Sequence, residues 1–254
     1  MKKLLLTLAA AAVAASTSFA VEGTNSPYTD AAGDIDPSIN NAGGTLDILG
    51  MEVTNNATDI TFKLTVNGNV STTDWGKFMV GISTGSTVST NTGNGWGRPI
   101  QLNSPVGGMD YWVGSWVDGV GPGGAQLWGY SGTWSELGST TATNLPGSFS
   151  FVSGANSTIT YTLTLASLGL AINDTFYFDA YSSGGGGGDS AVDALANPNV
   201  SITSWSQTYN SSTVGSGGPG LNSYQVVPEP STYALLALSG AGLAGYIARR
   251  RARK

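Results

Sequence analysis

Asp59-Ile60-Thr61-Phe62-Lys63-Leu64-Thr65-Val66 is the stretch that decides the fold. Ile60, Phe62, Leu64 and Val66 alternate with Thr61, Lys63 and Thr65, which puts the apolar side chains on one face of an extended chain and the polar ones on the other. The pattern returns downstream, where Ile159, Tyr161, Leu163 and Leu165 alternate with Thr160, Thr162 and Thr164. Upstream, Leu46, Ile48, Met51 and Val53 keep the same period apart from a slip at Gly50, which predicts a β-bulge. Asn55-Asn56-Ala57-Thr58-Asp59 between the two runs predicts a hairpin connection. Further strands are expected at 77–82, 109–117, 125–130, 148–152, 175–181 and 221–227, and no part of 21–226 keeps a helical period beyond one turn near 165–170. The expectation is an all-β protein, a single antiparallel β-sandwich of jelly-roll type with nine or ten strands.

Composition excludes much chemistry. Among 254 residues there are 37 Gly, no Cys and no His, and only 10% are charged. Without Cys or His, zinc fingers, disulfide frameworks, thiol nucleophiles and His-based triads are ruled out. The 40% hydrophobic content separates the chain from disordered polymers. The segment 21–226 holds 15 acids and 3 bases, net −12, so no nucleic-acid partner is expected.

The two ends carry addresses. Residues 1–20, MKKLLLTLAAAAVAASTSFA, have a Lys2-Lys3 n-region, an apolar run and a Ser18-Phe19-Ala20 cleavage site, which predicts an N-terminal signal peptide and a signal peptidase as partner. Residues 231–248 contain no charge and, as a C-terminal transmembrane helix, rise about 27 Å, just enough for a ~30 Å hydrocarbon core. Arg249, Arg250, Arg251, Arg253 and Lys254 follow as a cytoplasmic stop at 249–254. Gly240, Gly242 and Gly245 spell a dinucleotide fingerprint, but the chain ends nine residues later, before the acidic residue that motif requires. They read as small residues in a membrane helix. Before the apolar run, Pro228-Glu229-Pro230 fixes an extended tripeptide with one carboxylate.

Val227-Pro228-Glu229-Pro230-Ser231, an apolar segment and a terminal Arg cluster, together spanning 227–254, resemble the PEP-CTERM protein-sorting signal. That resemblance implies processing by an exosortase, a membrane transpeptidase, with the protein held at the inner membrane in transit and then delivered to the cell surface or extracellular matrix. The body, 21–226, has a weaker likeness. Leu46-Asp47-Ile48, then Asp59-Ile60-Thr61-Phe62, with Asp30, Asp34 and Asp36 ahead of them, look like family-9-like or DOMON-like carbohydrate-binding sandwiches.

Six of the seven Trp fall between 75 and 134. Aromatic faces stack on the C–H faces of sugars, and they also fill cores. Trp112 and Trp116 share one strand face with Asp110, and Trp96 sits in the Gly-rich Asn94-Gly95-Trp96-Gly97, so Trp96, Trp112, Trp116 and Asp110 are the candidate glycan-binding residues. Polysaccharide is then a possible partner. Asp34 and Asp36, with Asp30 and Asp47 nearby, are candidates for Ca²⁺ although their spacing is not that of an EF-hand; no other cofactor is expected. Glu136, Asp110, Asp118 and Asp179 are available carboxylates, but no spacing singles out a glycosidase pair, and a non-enzymatic protein is expected.

Overall fold

A computed structural model describes residues 21–22, 26–40, 44–72, 75–117, 123–212 and 221–228. The expected signal peptide, the apolar span 231–248 and the basic tail lie outside them. Strands are numbered in chain order. The first sheet contains β1 (Val21–Glu22), β2 (Tyr28–Thr29), β3 (Ile48–Asn55), β4 (Asp59–Asn67), β11 (Gly147–Val152) and β12 (Asn156–Thr164), in the order β1-β3-β4-β12-β11 with β2 also on β3. The second contains β5 (Lys77–Ser83), β8 (Tyr111–Trp116), β9 (Gly124–Tyr130), β10 (Trp134–Ser139), β13 (Thr175–Ser183), β14 (Asp193–Ala194) and β16 (Asn222–Gln225). Its order is β10-β9-β8-β5-β13-β14, with β16 also on β13. A small third sheet joins β6 (Ile100–Ser104) to β7 (Gly107–Gly108) and β15 (Tyr209–Ser212).

The alternation read at 59–66 is the inner face of β4. Ile60, Phe62, Leu64 and Val66 are fully buried, as are Ile159, Tyr161 and Leu163 beside them on β12. Each such side chain contributes roughly 1.5–3 kcal/mol relative to exposure. They meet the second sheet directly: the Phe62 ring lies 6.0 Å from those of Phe176 and Phe178 on β13. The Tyr161 hydroxyl donates to the Phe78 carbonyl at 2.9 Å and meets Ser115 Oγ at 2.7 Å, so this polar group carried into the core is satisfied. Two sheets therefore face each other as a sandwich. On the outside of the first sheet, Thr61 and Thr162 hydroxyls pair at 3.0 Å.

Local chemistry sets the connections. The register slips between Ile48 and Gly50, and Gly50 has φ +154°. A Cβ there would sit 2.5 Å from the Tyr28 carbonyl oxygen, which restricts the bulge to glycine. Asn56 Oδ1 accepts from the N–H groups of Thr58 and Asp59, closing the β3–β4 hairpin. The helical turn expected near 165–170 is a 3-10 turn, Leu165–Leu168, ended by Gly169 at φ +62°.

Two expectations need correction. β15 pairs with β6 in parallel, so the strands are not all antiparallel. Consecutive strands of a jelly roll mostly alternate between its sheets, whereas β8, β9 and β10 run as a meander within one. The second sheet also differs from a simple sandwich layer. Trp112 and Tyr181 stack on its outer side with ring centres 6.0 Å apart, and Tyr209 of β15 packs edge-on to Tyr181. Ile100, Leu102 and Met109 close over the same region. β5 and β13 are thus covered on both faces, and their sequences lack a clean alternation for that reason.

Candidate functional site

Where the third sheet stops, the outer face of the second sheet opens into a groove of about 440 Å³ over β5, β8 and β9. Its walls are the indoles of Trp96, Trp116 and Trp128, with Lys77, Arg98 and Gln126 at the polar edges. Each indole occupies a seat made by a glycine. A Cβ on Gly114 would come within 2.6 Å of the Trp96 ring, one on Gly124 within 2.2 Å of Trp116, and one on Gly95 within 2.4 Å of Trp128. Any larger residue at those three positions forces a ring to move.

Polar contacts lock two of the three rings. Gln126 Oε1 accepts from Trp96 Nε1 at 2.8 Å and from Trp128 Nε1 at 3.3 Å, and Gln126 Nε2 donates to Glu136 at 2.9 Å. The Arg98 guanidinium lies 5.5 Å from the centre of the Trp96 ring. Arg98 is itself fixed: Nη1 donates to Ser183 Oγ and the Asp189 carbonyl, and Nη2 to the Gly184 carbonyl. Burial pulls its pKa down, and Asp189 opposes that shift. The glycine run 184–188 is partly close-packed, since a Cβ on Gly184 would meet Asp189 at 2.4 Å and Trp205 at 2.8 Å.

Of the four candidate glycan residues, Trp96 and Trp116 line this groove, and Trp112 and Asp110 do not. Trp112 shares the strand face of Trp116 but is fully buried, stacked on Tyr181 and edge-on to Trp96. Asp110 is 1% exposed, and its carboxylate accepts the N–H groups of Thr84, Gly85, Ser86 and Thr87 and the Thr84 hydroxyl. It ties the 84–87 turn to the sheet and has no capacity left for a ligand. The sequence reading missed Trp128 and Gln126, which two-residue spacing places on one face of β9, and it missed Gly114, the seat between Trp112 and Trp116.

The acidic residues of the lead-in segment also regroup. Asp36 Oδ1 accepts from the hydroxyl and N–H of Ser38, which hold its pKa down, and it is not one of the carboxylates that come together. Asp30 and Asp34 instead meet Asp193 of β14, with one carboxylate oxygen from each lying within 4.8 Å of the others. Burial pushes Asp30 up to about 8, with Asp34, Asp179 and Asp47 adding to the effect. Asp34 rises to about 6 through burial and Asp47, and Asp193 rises well above its usual range through burial, then Asp34 and Asp30.

The route into the C-terminal tail is hydrogen-bonded to its last turn. Val226 exchanges backbone bonds with Asn173 and Asp174. Asn55 Nδ2 donates to the Val227 carbonyl at 2.8 Å, and its Oδ1 accepts from Val227 N–H at 3.0 Å and from the Tyr224 hydroxyl at 2.8 Å. Pro228 follows at once; Glu229, Pro230 and the basic residues 249–254 lie outside the described residues. Among the described residues no helix is long and apolar enough to cross a membrane.

The described residues thus form an all-β protein with two large sheets face to face and a small third one, and its last strand, β16, ends three residues before Pro228. Residues 226–254 match the PEP-CTERM protein-sorting motif. This motif implies exosortase-dependent sorting of an exported protein, anchored to the membrane in transit. No curated protein matches the chain.

Proposed function

We propose that the mature body is a non-enzymatic carbohydrate-binding protein of the cell surface or extracellular matrix, released there once exosortase cuts near Pro228-Glu229-Pro230. The observation that carries the reading is the set of three indoles held on glycine seats around one groove. Rings fixed before the ligand arrives lose little rotamer freedom on binding, and about 440 Å³ suits a small number of sugar units. Stacking on Trp96, Trp116 and Trp128 recognises the apolar faces of pyranose rings, and the Lys77 ammonium on the rim can donate to hydroxyl or acidic substituents. The sequence likeness of the body to carbohydrate-binding sandwiches points the same way. The non-enzymatic part of the reading rests on the groove walls, which are aromatic, basic and amide in character, whereas glycoside hydrolysis uses two facing carboxylates.

The test is a glycan array probed with the full chain in detergent micelles, followed by tryptophan-fluorescence titration with each hit. Binding with a change in indole emission, weakened at least about tenfold by Trp116→Ala or Trp128→Ala, is expected. An array without hits, or a hit whose affinity is untouched by both substitutions, rules the groove out as the binding site.

A further inference from the structure

We propose that Asp30, Asp34 and Asp193 form a calcium site that staples the N-terminal lead-in segment to the edge of the second sheet. One carboxylate oxygen from each residue lies within 4.8 Å of the others. Calcium–oxygen bonds of about 2.3–2.6 Å span roughly 4.6–5.2 Å across the ion, so one Ca²⁺ reaches all three.

A second observation points to a cation. Both Asp34 carboxylate oxygens and Asp30 Oδ2 are shut off from solvent and receive no hydrogen bond from another residue. Asp47, only 2% exposed, leaves its Oδ1 in the same state while its Oδ2 accepts from Gly33 N–H and from Asn67. Buried carboxylate oxygens without donors are costly, and folded proteins seldom leave several together. Among the described residues, Lys63 pairs with Glu52, Lys77 donates to the Trp75 carbonyl, and Arg98 is engaged with Ser183, Gly184 and Asp189. Among the described residues, the charges acting on Asp30, Asp34 and Asp193 are those of other aspartates.

The parts have separate tasks. Asp193 is rigid, since Oδ2 accepts from Ile48 N–H at 2.6 Å and Oδ1 from Ala194 N–H at 2.8 Å. Each of those oxygens keeps a further lone pair. Asp47 is a positioning residue, holding the turn between Asp30 and Asp34 through Gly33. The donors are hard oxygens, and the chain has no His or Cys, which favours Ca²⁺ over the softer transition metals. Ligands drawn from an irregular loop and a sheet edge suit the adaptable coordination of Ca²⁺ better than the strict octahedron of Mg²⁺. An exported protein meets Ca²⁺ at concentrations where sites of about 10⁻⁴–10⁻³ M fill. The site lies apart from the aromatic groove, so this inference does not depend on sugar binding.

The experiment uses the full chain in detergent, stripped with chelator and titrated with CaCl₂ by calorimetry and by thermal unfolding. A saturable binding heat is expected, with a midpoint rise of about 5–10 °C at a ~100-fold excess over Kd. Asp34→Asn should abolish both. In chelator, that variant should melt at or above the parent, because the amide removes like-charge repulsion. Asp36→Asn should keep the full Ca²⁺ response. If Asp34→Asn does not fold, the parent titration alone decides. No saturable heat and no midpoint shift up to about 10 mM Ca²⁺, ten times the weakest expected Kd, overturns the site. An undiminished shift in a folded Asp34→Asn variant overturns it equally.

Discussion

Asn55→Ala removes the bolt between the sandwich and its tail. The side chain is 1% exposed and makes four hydrogen bonds, three of them to residues far away in sequence: both backbone groups of Val227 and the Tyr224 hydroxyl. At about 1 kcal/mol net for each bond, the three non-local ones amount to about 3 kcal/mol. For a domain of this size that corresponds to a midpoint loss of about 6–12 °C. Urea unfolding of the full chain in detergent measures the free energy. Tyr224→Phe, which deletes only one of the three, should cost about 1 kcal/mol. Limited proteolysis supplies a second reading: the variant should be cut near Val226–Pro228 at low protease, while the parent is protected there, because the freed segment opens locally. An Asn55→Ala protein within about 0.5 kcal/mol of the parent, with the same protection, would refute the idea that this side chain fixes where the folded body ends.

Gly114→Ala fills the seat under Trp96; the ring must tilt, and a shifted tryptophan emission with at least about tenfold weaker glycan binding is expected, read by fluorescence titration. Asp110→Ala leaves the four N–H groups of the 84–87 turn without their acceptor; urea unfolding should show a loss of about 2–4 kcal/mol. Burial raises Asp179 to about 7, against the donors Ser211, Ala196 and Ala180, so the folded state keeps a proton that the unfolded state releases above about pH 4. Its contribution to stability is therefore greatest below about pH 4 and declines by the order of 4 kcal/mol as pH rises to 7. Tyr181, Tyr209 and Asp30 also sense this charge, so the comparison is made against Asp179→Asn, whose amide mimics the protonated acid; its unfolding free energy should fall less steeply between pH 4 and 7, and parallel pH curves would contradict the assignment.

The sandwich was legible because β4 and β12 face the core on one side and water on the other, which writes a two-residue period into the sequence. All nine anticipated strands form, as do the Gly50 bulge and the 55–59 hairpin. β6, β7 and β15 left no such signal: Ile-Gln-Leu-Asn-Ser, Gly-Gly and Tyr-Asn-Ser-Ser are short, polar or featureless, and they form strands because the covered face of β5 and β13 gives them something to pack on. β10 lies at a sheet edge, largely exposed, so its selection for apolar residues is weak. For the groove, strand parity put Trp112 and Trp116 on one face, but parity carries no information about what covers that face, and the 84–110 excursion buries Trp112 while leaving Trp116 open. The acidic cluster was half legible. Asp30 and Asp34 are near in sequence, whereas Asp193 arrives through the pairing of β14 with β13, a contact between distant segments that no local spacing announces.

The most direct measurement is mass spectrometry of the C-terminus of the protein recovered from the cell surface or medium. Peptides should run through Gln225 and end close to Pro228, and none should come from 231–247, if exosortase removes the tail on sorting as proposed. Abundant peptides covering 231–247 in the exported protein would contradict the account and leave a permanently anchored one in its place.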